Sequence, residues 1–176
     1  MKRIPFVVLA LLLSFPLAAW PDKPARLSVT QSIEIKAAPG VAWDTIKDFN
    51  GLPTWHPAVA KSEIVAGTNN KKGAVRLLTL KDGGTIKEKL LAYDDKGRSF
   101  KYNILEGVLP LSSYVSTIKV KPGKDGGSVV EWKGSFKRKS MADNPPAGED
   151  DATATKTITS VYQAGLENLK KMMERR

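Results

Sequence analysis

The chain of 176 residues contains no cysteine and a single histidine, His56. Without cysteine it has no disulfide, no thiol nucleophile, no lipid-modified cysteine and no thiolate metal site. A single histidine excludes zinc or copper centres built on several imidazoles. An EF-hand spacing of Asp and Asn, a nucleophile elbow and a phosphate-binding loop are also missing, although a carboxylate site for a hard cation stays open by composition. We therefore predict no cofactor, no metal site and no catalytic residue.

Residues 1–19 have the order of a secretory signal peptide. The segment starts with the basic Lys2 and Arg3. An apolar run over 6–15 follows, and a small-residue zone ends at Ala19. The apolar run is shorter than the roughly 20 residues that a bilayer-spanning helix needs, which argues against an uncleaved anchor. We predict cleavage near Ala19, export to the periplasm and no stable membrane insertion afterwards. Nucleic acid is scarce in that compartment and is not an expected partner.

Removal of this leader leaves about 157 residues, which suits one domain with one core. Residues 20–27 are predicted to be an N-terminal linker, and residues 28–176 a single domain. The leader holds two of the 28 basic residues and no acid, so the remainder has 26 basic against 18 acidic residues and a net charge of +8. Such a charge favours an acidic partner or an anionic surface, although dispersed lysines are also typical of solvated strands and loops.

The hydrophobic pattern predicts strands in the first three quarters of the chain and a long helix at the end. Apolar and polar residues alternate along 27–36, and a short helical spacing begins at Pro39. Between turn residues, six further strands are predicted at 59–66, 73–81, 84–94, 98–106, 113–121 and 127–137. The segment 152–174 predicts an amphipathic helix. Its apolar stripe consists of Ile158, Val161, Tyr162, Gly165, Leu169 and Met172.

The predicted order of one strand, two short helices, six strands and a long closing helix resembles that of the helix-grip proteins. In this α+β fold a curved antiparallel sheet of about seven strands wraps around the C-terminal helix. The segments 41–49 (VAWDTIKDF) and 52–59 (LPTWHPAV) resemble the opening helices of the START and pollen-allergen-like superfamily, SRPBCC. The segments 73–77 (GAVRL) and 82–90 (DGGTIKEKL) resemble strands of its polyketide-cyclase/dehydrase branch. With the leader, the pattern is most similar to the MxaD-like periplasmic proteins of methanol-oxidising bacteria.

The resemblance implies a protein with a cavity between sheet and helix, since the superfamily includes polyketide cyclases, lipid carriers and plant abscisic-acid receptors. The MxaD-like branch implies an accessory of methanol oxidation, which helps the dehydrogenase pass electrons to an acidic cytochrome. A basic surface is compatible with such a partner, because complementary charge raises the association rate. Two alternatives are a carrier of a small hydrophobe or lipid, and a cyclase or dehydratase that uses Glu88, Tyr102 or His56 as acid or base.

Side-chain parity along the strands identifies the residues that face this cavity. Glu88 lies on the apolar phase of its strand, with Ile86, Leu90 and Ala92. Arg76 likewise shares a phase with Leu78 and Leu80. A carboxylate on an apolar face is costly unless it is paired, so we expect Glu88 to contact Arg76 across neighbouring strands. The pair is either a polar cluster within the cavity or a structural ion pair. The predicted cavity residues are Trp55, Arg76, Glu88, Tyr102, Tyr114 and Trp132.

Two further features are candidates for a functional role. His56 precedes a proline near the expected cavity mouth and is either a general base or, without an orienting carboxylate nearby, a packing residue. An unusually apolar loop, formed by Gly107, Val108, Leu109 and Pro110, joins two strands. It is either a cavity lid or partner contact, or it packs against the long helix.

The sequence as a whole favours a periplasmic, non-enzymatic binding or accessory protein. Its expected partners are a small hydrophobic ligand and an acidic periplasmic protein such as a cytochrome or dehydrogenase.

Overall fold

A computed structural model of the protein describes residues 24–175, so the predicted leader lies outside the described residues. The strands are β1 (Leu27–Ile35), β2 (Val59–Ala66), β3 (Val75–Leu80), β4 (Thr85–Asp94), β5 (Ser99–Gly107), β6 (Leu111–Pro122) and β7 (Ser128–Arg138). The helices are α1 (Pro39–Ile46), α2 (Asp151–Glu174) and two short 3₁₀ helices (Phe49–Thr54 and Lys124–Gly126). None of the helices between residues 24 and 175 has the length and apolarity needed to cross a bilayer.

The seven strands form one antiparallel sheet in the order β1-β7-β6-β5-β4-β3-β2. The sheet curves around α2, which packs against β1 and β7. This is the predicted helix-grip architecture, and every predicted strand is present to within two residues at each end. The core lies between the inner face of the sheet, the two N-terminal helices and α2.

The inward phase of β4 changes near its end, which the sequence pattern did not predict. Ile86, Glu88 and Leu90 are buried as expected, but Ala92 is exposed. A β-bulge between Leu90 and Ala92 places an extra residue in the strand, so the side chains beyond it alternate in the opposite sense. As a result Tyr93, and not Ala92, packs against the core.

The apolar stripe of α2 is confirmed over most of its length but drifts at the end. Its buried residues are Ala154, Ile158, Tyr162, Gly165, Leu166 and Leu169. Val161 is half-buried, and Met172 is 37% exposed. Met173 packs against the core in its place, because the next inward position lies four residues after Leu169 rather than three.

Two glycines allow α2 to lie close to the sheet. A Cβ on Gly134 of β7 would overlap the Tyr162 hydroxyl, and a Cβ on Gly165 of α2 would lie 2.6 Å from Cδ2 of His56. Glycine within a helix costs about 1 kcal/mol relative to alanine. At Gly165 this cost is offset by the close packing of α2 against His56 and Trp132.

Candidate functional site

An apolar cavity of about 80 Å³ lies between the inner face of the sheet and α2. Its walls come from the start of β2, from β3 to β7 and from Ile158 and Val161 of α2. Pockets for drug-sized ligands typically measure about 300–1,000 Å³. The cavity is therefore large enough for a short apolar group and too small for a whole lipid chain.

Four of the six predicted cavity residues line this cavity, namely Glu88, Tyr102, Tyr114 and Trp132. Arg76 and Trp55 do not line it. Trp55 is buried beside it and meets the ring of Trp132 edge-on, with 5.6 Å between ring centroids. Arg76 is paired with Glu88, which does line the cavity. These positions define the geometry, while the role of each residue in binding remains a prediction.

Arg76 and Glu88 form the expected ion pair. They lie directly opposite each other on β3 and β4 and are only 2% and 5% exposed. Nε and Nη2 of Arg76 lie 2.7 and 2.6 Å from Oε2 of Glu88. The guanidinium also donates to the backbone carbonyl of Phe49 and lies 4.1 Å from the centroid of its ring. Burial raises the pKa of the Glu88 carboxyl, while the charge and hydrogen bond of Arg76 act in the opposite direction.

Five buried side chains form a closed ring of hydrogen bonds. Tyr102, Tyr114 and Trp132 were predicted to line the cavity, whereas Ser116 and Tyr162 were not predicted as site residues. Nε1 of Trp132 donates to the Tyr102 hydroxyl and to Oγ of Ser116, both at 3.0 Å. The Tyr162 hydroxyl lies 3.0 Å from Oγ of Ser116 and 2.6 Å from the Tyr114 hydroxyl. The Tyr114 and Tyr102 hydroxyls, 3.3 Å apart, close the ring. We call these five residues the hydroxyl ring.

The direction of the hydrogen bonds in the hydroxyl ring follows from counting protons. Ser116 has one hydroxyl proton and donates it to the backbone carbonyl of Lys133, 2.9 Å away. Tyr162 must then donate to Ser116, Tyr114 to Tyr162, and Tyr102 to Tyr114. Every hydroxyl in the ring therefore donates once and accepts at least once, so no buried polar group of the ring lacks a partner.

The hydroxyl ring is electrically neutral around neutral pH. Burial raises the pKa of Tyr102 to about 12 and the pKa values of Tyr114 and Tyr162 well above their ordinary range. All three phenols keep their protons, so none of them acts as a base. The sequence did carry one signal for Ser116, since it shares the inward phase of β6 with Tyr114 and Ile118.

His56 is buried and both of its ring nitrogens are engaged. Nε2 lies 3.0 Å from the backbone carbonyl of Val161 in α2. Nδ1 accepts a hydrogen bond of 3.3 Å from the backbone N–H of Ala58. Because a carbonyl only accepts, Nε2 carries the proton and the imidazole is neutral. Burial lowers the pKa of His56, and the charge of Arg76 lowers it further, against the opposing effect of the Val161 carbonyl. This geometry fits the packing alternative and leaves no free nitrogen for general-base chemistry.

In the apolar loop between β5 and β6, one side chain is exposed to solvent and another lines the cavity. Gly107 is the last residue of β5, and Val108 is 56% exposed. Leu109 is half-buried and lines the cavity, and its neighbour Pro110 accepts a hydrogen bond from the backbone N–H of Lys139. The role of this loop as a lid or partner contact remains a prediction.

A curved sheet around a long helix, with an apolar cavity between them, defines a helix-grip protein. Residues 26–174 match the family described as polyketide cyclase / dehydrase and lipid transport. Since the match covers most of the chain, the protein belongs to this family.

Relatives from bacteria and plants agree with this assignment. Protein XoxI of Bacillus cereus has a solved structure with 33% identity and a TM-score of 0.72, over 83% of this chain and 94% of that one. MLP-like protein 423 of Arabidopsis thaliana is 31% identical over 114 residues, which are 60% of this chain and 73% of the relative. Ginseng major latex-like protein 151 of Panax ginseng, at 16% identity, covers 84% of this chain and 97% of its own. Its TM-score of 0.66 supports the fold alone.

Replacing Glu88 by glutamine should destabilise the fold strongly. Glu88→Gln leaves the buried guanidinium of Arg76 without a counter-charge, and breaking a buried pair in this way costs about 3–5 kcal/mol. The control is Glu106→Gln, which removes the exposed partner of Lys87 and should cost less than about 1 kcal/mol. Urea unfolding of both variants measures the difference. Equal free energies of unfolding would contradict a buried ion pair.

The stability of the protein should fall as the pH drops below the pKa of an unfolded histidine, about 6.5. Because the pKa of His56 is lowered in the folded state, the unfolded chain takes up the proton first, and protonation then favours unfolding. His56 is the only histidine, so His56→Gln should remove this part of the pH dependence. Urea unfolding of both proteins between pH 8 and pH 5.5 measures it. Parallel curves for the two proteins would show that His56 does not titrate differently on folding.

Proposed function

We propose that this protein binds a small apolar molecule, or the apolar end of a larger one, in the cavity between the sheet and α2, and that it catalyses no reaction. The cavity itself carries the proposal. Its walls are mostly aliphatic and aromatic, and a concave, mostly apolar pocket is the usual form of a small-molecule site. Membership of a family described by lipid transport supports the same class of ligand.

The polar residues around the cavity favour binding over catalysis. The three tyrosines of the hydroxyl ring keep their protons, and their hydroxyls are bonded to one another. Glu88 is held by Arg76, and both nitrogens of His56 are bonded to the backbone. The three candidate acids or bases of a cyclase or dehydratase, Glu88, Tyr102 and His56, are thus each bonded to a structural partner.

We also propose that the protein is exported and works in the periplasm. This proposal rests on residues 1–19, with their basic start, apolar run and small-residue end. A second candidate function, support of electron transfer between a methanol dehydrogenase and its acidic cytochrome, is favoured by the net charge of +8 after the leader and by the resemblance to MxaD-like proteins. It concerns the outer surface and is compatible with a ligand in the cavity.

If a ligand binds in the cavity, a larger side chain on α2 that fills the cavity should weaken its binding. Val161→Phe places an aromatic ring at a position of α2 that lines the cavity. The control, Gln163→Phe, places the same ring at an exposed position of α2. We expect alkan-1-ols from hexan-1-ol to decan-1-ol to change the emission of Trp132 with a Kd below 1 mM, a binding free energy stronger than about −4 kcal/mol. Val161→Phe should weaken this binding at least tenfold and Gln163→Phe less than twofold.

Native mass spectrometry of the purified protein is the complementary measurement, because it detects any ligand that the protein retains from the cell. If no alkanol binds and no small molecule is ever retained, the binding function is wrong. The accessory role would then be the remaining candidate.

The export proposal predicts a mature protein that begins close to residue 20 in the periplasmic fraction. N-terminal sequencing after fractionation measures this directly. Leu11→Arg places a charge in the apolar run and should leave the chain uncleaved in the cytoplasm. An intact Met1 on wild-type protein in the membrane fraction would overturn the proposal.

A further inference from the structure

The pairing between β5 and β6 does not extend to the end of β5 or back to the start of β6. Its last pair is Asn103 and Val115, yet β5 continues to Gly107 and β6 already begins at Leu111. Beyond the last pair each strand stays with its other neighbour, Gly107 with β4 and Leu111 with β7. The sheet therefore opens between residues 104–107 and residues 111–114.

A local distortion of β6 accompanies this opening. β6 has a bulge between Ser112 and Val115, and Ser113 within it has a φ of +51°, which is uncommon for a residue other than glycine. A bulge bends its strand and interrupts pairing. The bent end of β6 thus leaves β5 and follows β7.

The opening forms a groove of about 320 Å³, which we call the β5–β6 cleft. Ile104, Leu109 and Tyr114 line the cleft and also line the cavity of about 80 Å³. These three side chains are therefore a shared wall with the cleft on one side and the cavity on the other. Leu105, which is 49% exposed, adds an apolar surface at the rim.

We propose that the β5–β6 cleft is the entrance to the cavity and holds the polar end of its ligand, which is a single-chain amphiphile. The proposal rests on the binding function proposed above. The cavity has room and apolar walls for the end of a chain only. The cleft has the space that the cavity lacks.

The chemistry of the cleft fits a polar head group. Its walls include the exposed Ser113, and Ser112, whose hydroxyl donates its proton to the backbone carbonyl of Arg138 and so can only accept from a ligand. The carboxylate of Glu106 is already paired with Lys87. Backbone N–H and C=O groups at the two strand ends do not bond across the cleft, so those facing it can hydrogen-bond a ligand. A hydroxyl, carboxyl or amide head is thereby accommodated outside the apolar cavity.

A reversible closure of the cleft tests the entrance. Residues 105 and 113 would be the second opposite pair beyond Asn103 and Val115 if the ladder continued, and the chain has no cysteine of its own. In the double variant Leu105→Cys/Ser113→Cys, oxidation should join the two strand ends and slow the association of decan-1-ol at least tenfold. Reduction of the same protein should restore the rate, which excludes a folding defect. Equal association rates in the oxidised and reduced forms would overturn the proposed entrance.

A second variant enlarges one side chain of the shared wall and needs no cross-link. Leu109→Trp should weaken decan-1-ol binding at least tenfold. Val65→Trp, at an exposed position of β2 away from both voids, should change it less than twofold. Across the alkan-1-ol series, each added methylene should tighten binding to the wild type about fourfold until the apolar space is filled. Unchanged binding by Leu109→Trp would contradict a ligand that passes the shared wall.

The position of the head group is tested by comparing hexan-1-ol with hexane. If the whole molecule entered the apolar cavity, the hydroxyl would be buried without a partner and hexane would bind more tightly. A head held in the cleft predicts that hexan-1-ol binds at least as tightly as hexane. Hexane binding tenfold more tightly would overturn the head-group site. Failure of wild type to bind any alkanol, together with no small molecule retained from the cell, would refute the binding function itself. Binding that no cleft variant alters would refute only the role of the cleft.

Discussion

The hydrogen bonds between Tyr162 of α2 and the hydroxyls of Tyr114 and Ser116 on β6 tie the long helix to the sheet. They are possible because Gly134 leaves space for the Tyr162 hydroxyl. In a buried, low-dielectric site such bonds strengthen one another, and an unmet donor or acceptor would be costly. The hydroxyl ring meets every one of its donors with an acceptor. This closed set of bonds joins α2 to β6 beside the cavity.

The same aromatic residues explain why the interior is so full. The rings of Trp132 and Tyr162 stack with centroids 4.4 Å apart and planes 12° apart, and this pair occupies space between sheet and helix. Trp55 and His56 pack edge-on against Trp132. What remains is a cavity for a short apolar group. Side chains fill most of the space between sheet and helix, and a larger space lies at the β5–β6 cleft instead.

The sequence was sufficient for those features that depend on local alternation and on the cost of burying charge. Strand positions followed from the period of two, and the contact between Arg76 and Glu88 followed from two charges on apolar phases. The bulge that exposes Ala92 was not predictable, because no glycine or proline marks it. The hydroxyl ring was missed for another reason. Tyr114 and Tyr162 are 48 residues apart, and a tyrosine on an apolar stripe gives no sign of the hydroxyl it will meet.

The two polar clusters of the interior determine what the cavity is able to recognise. The hydroxyl ring is neutral and internally satisfied, and the carboxylate of Glu88 is in an ion pair. Among residues 24–175, the only buried side-chain polar atoms without a partner are Oδ1 of Asn103 and Oγ of Ser128, and neither residue lines the cavity. An apolar pocket of this kind discriminates between chains differing by one methylene by only about 1–3 kcal/mol. Affinity can therefore come from the cavity, but selectivity between ligands with similar chains requires polar contacts outside it.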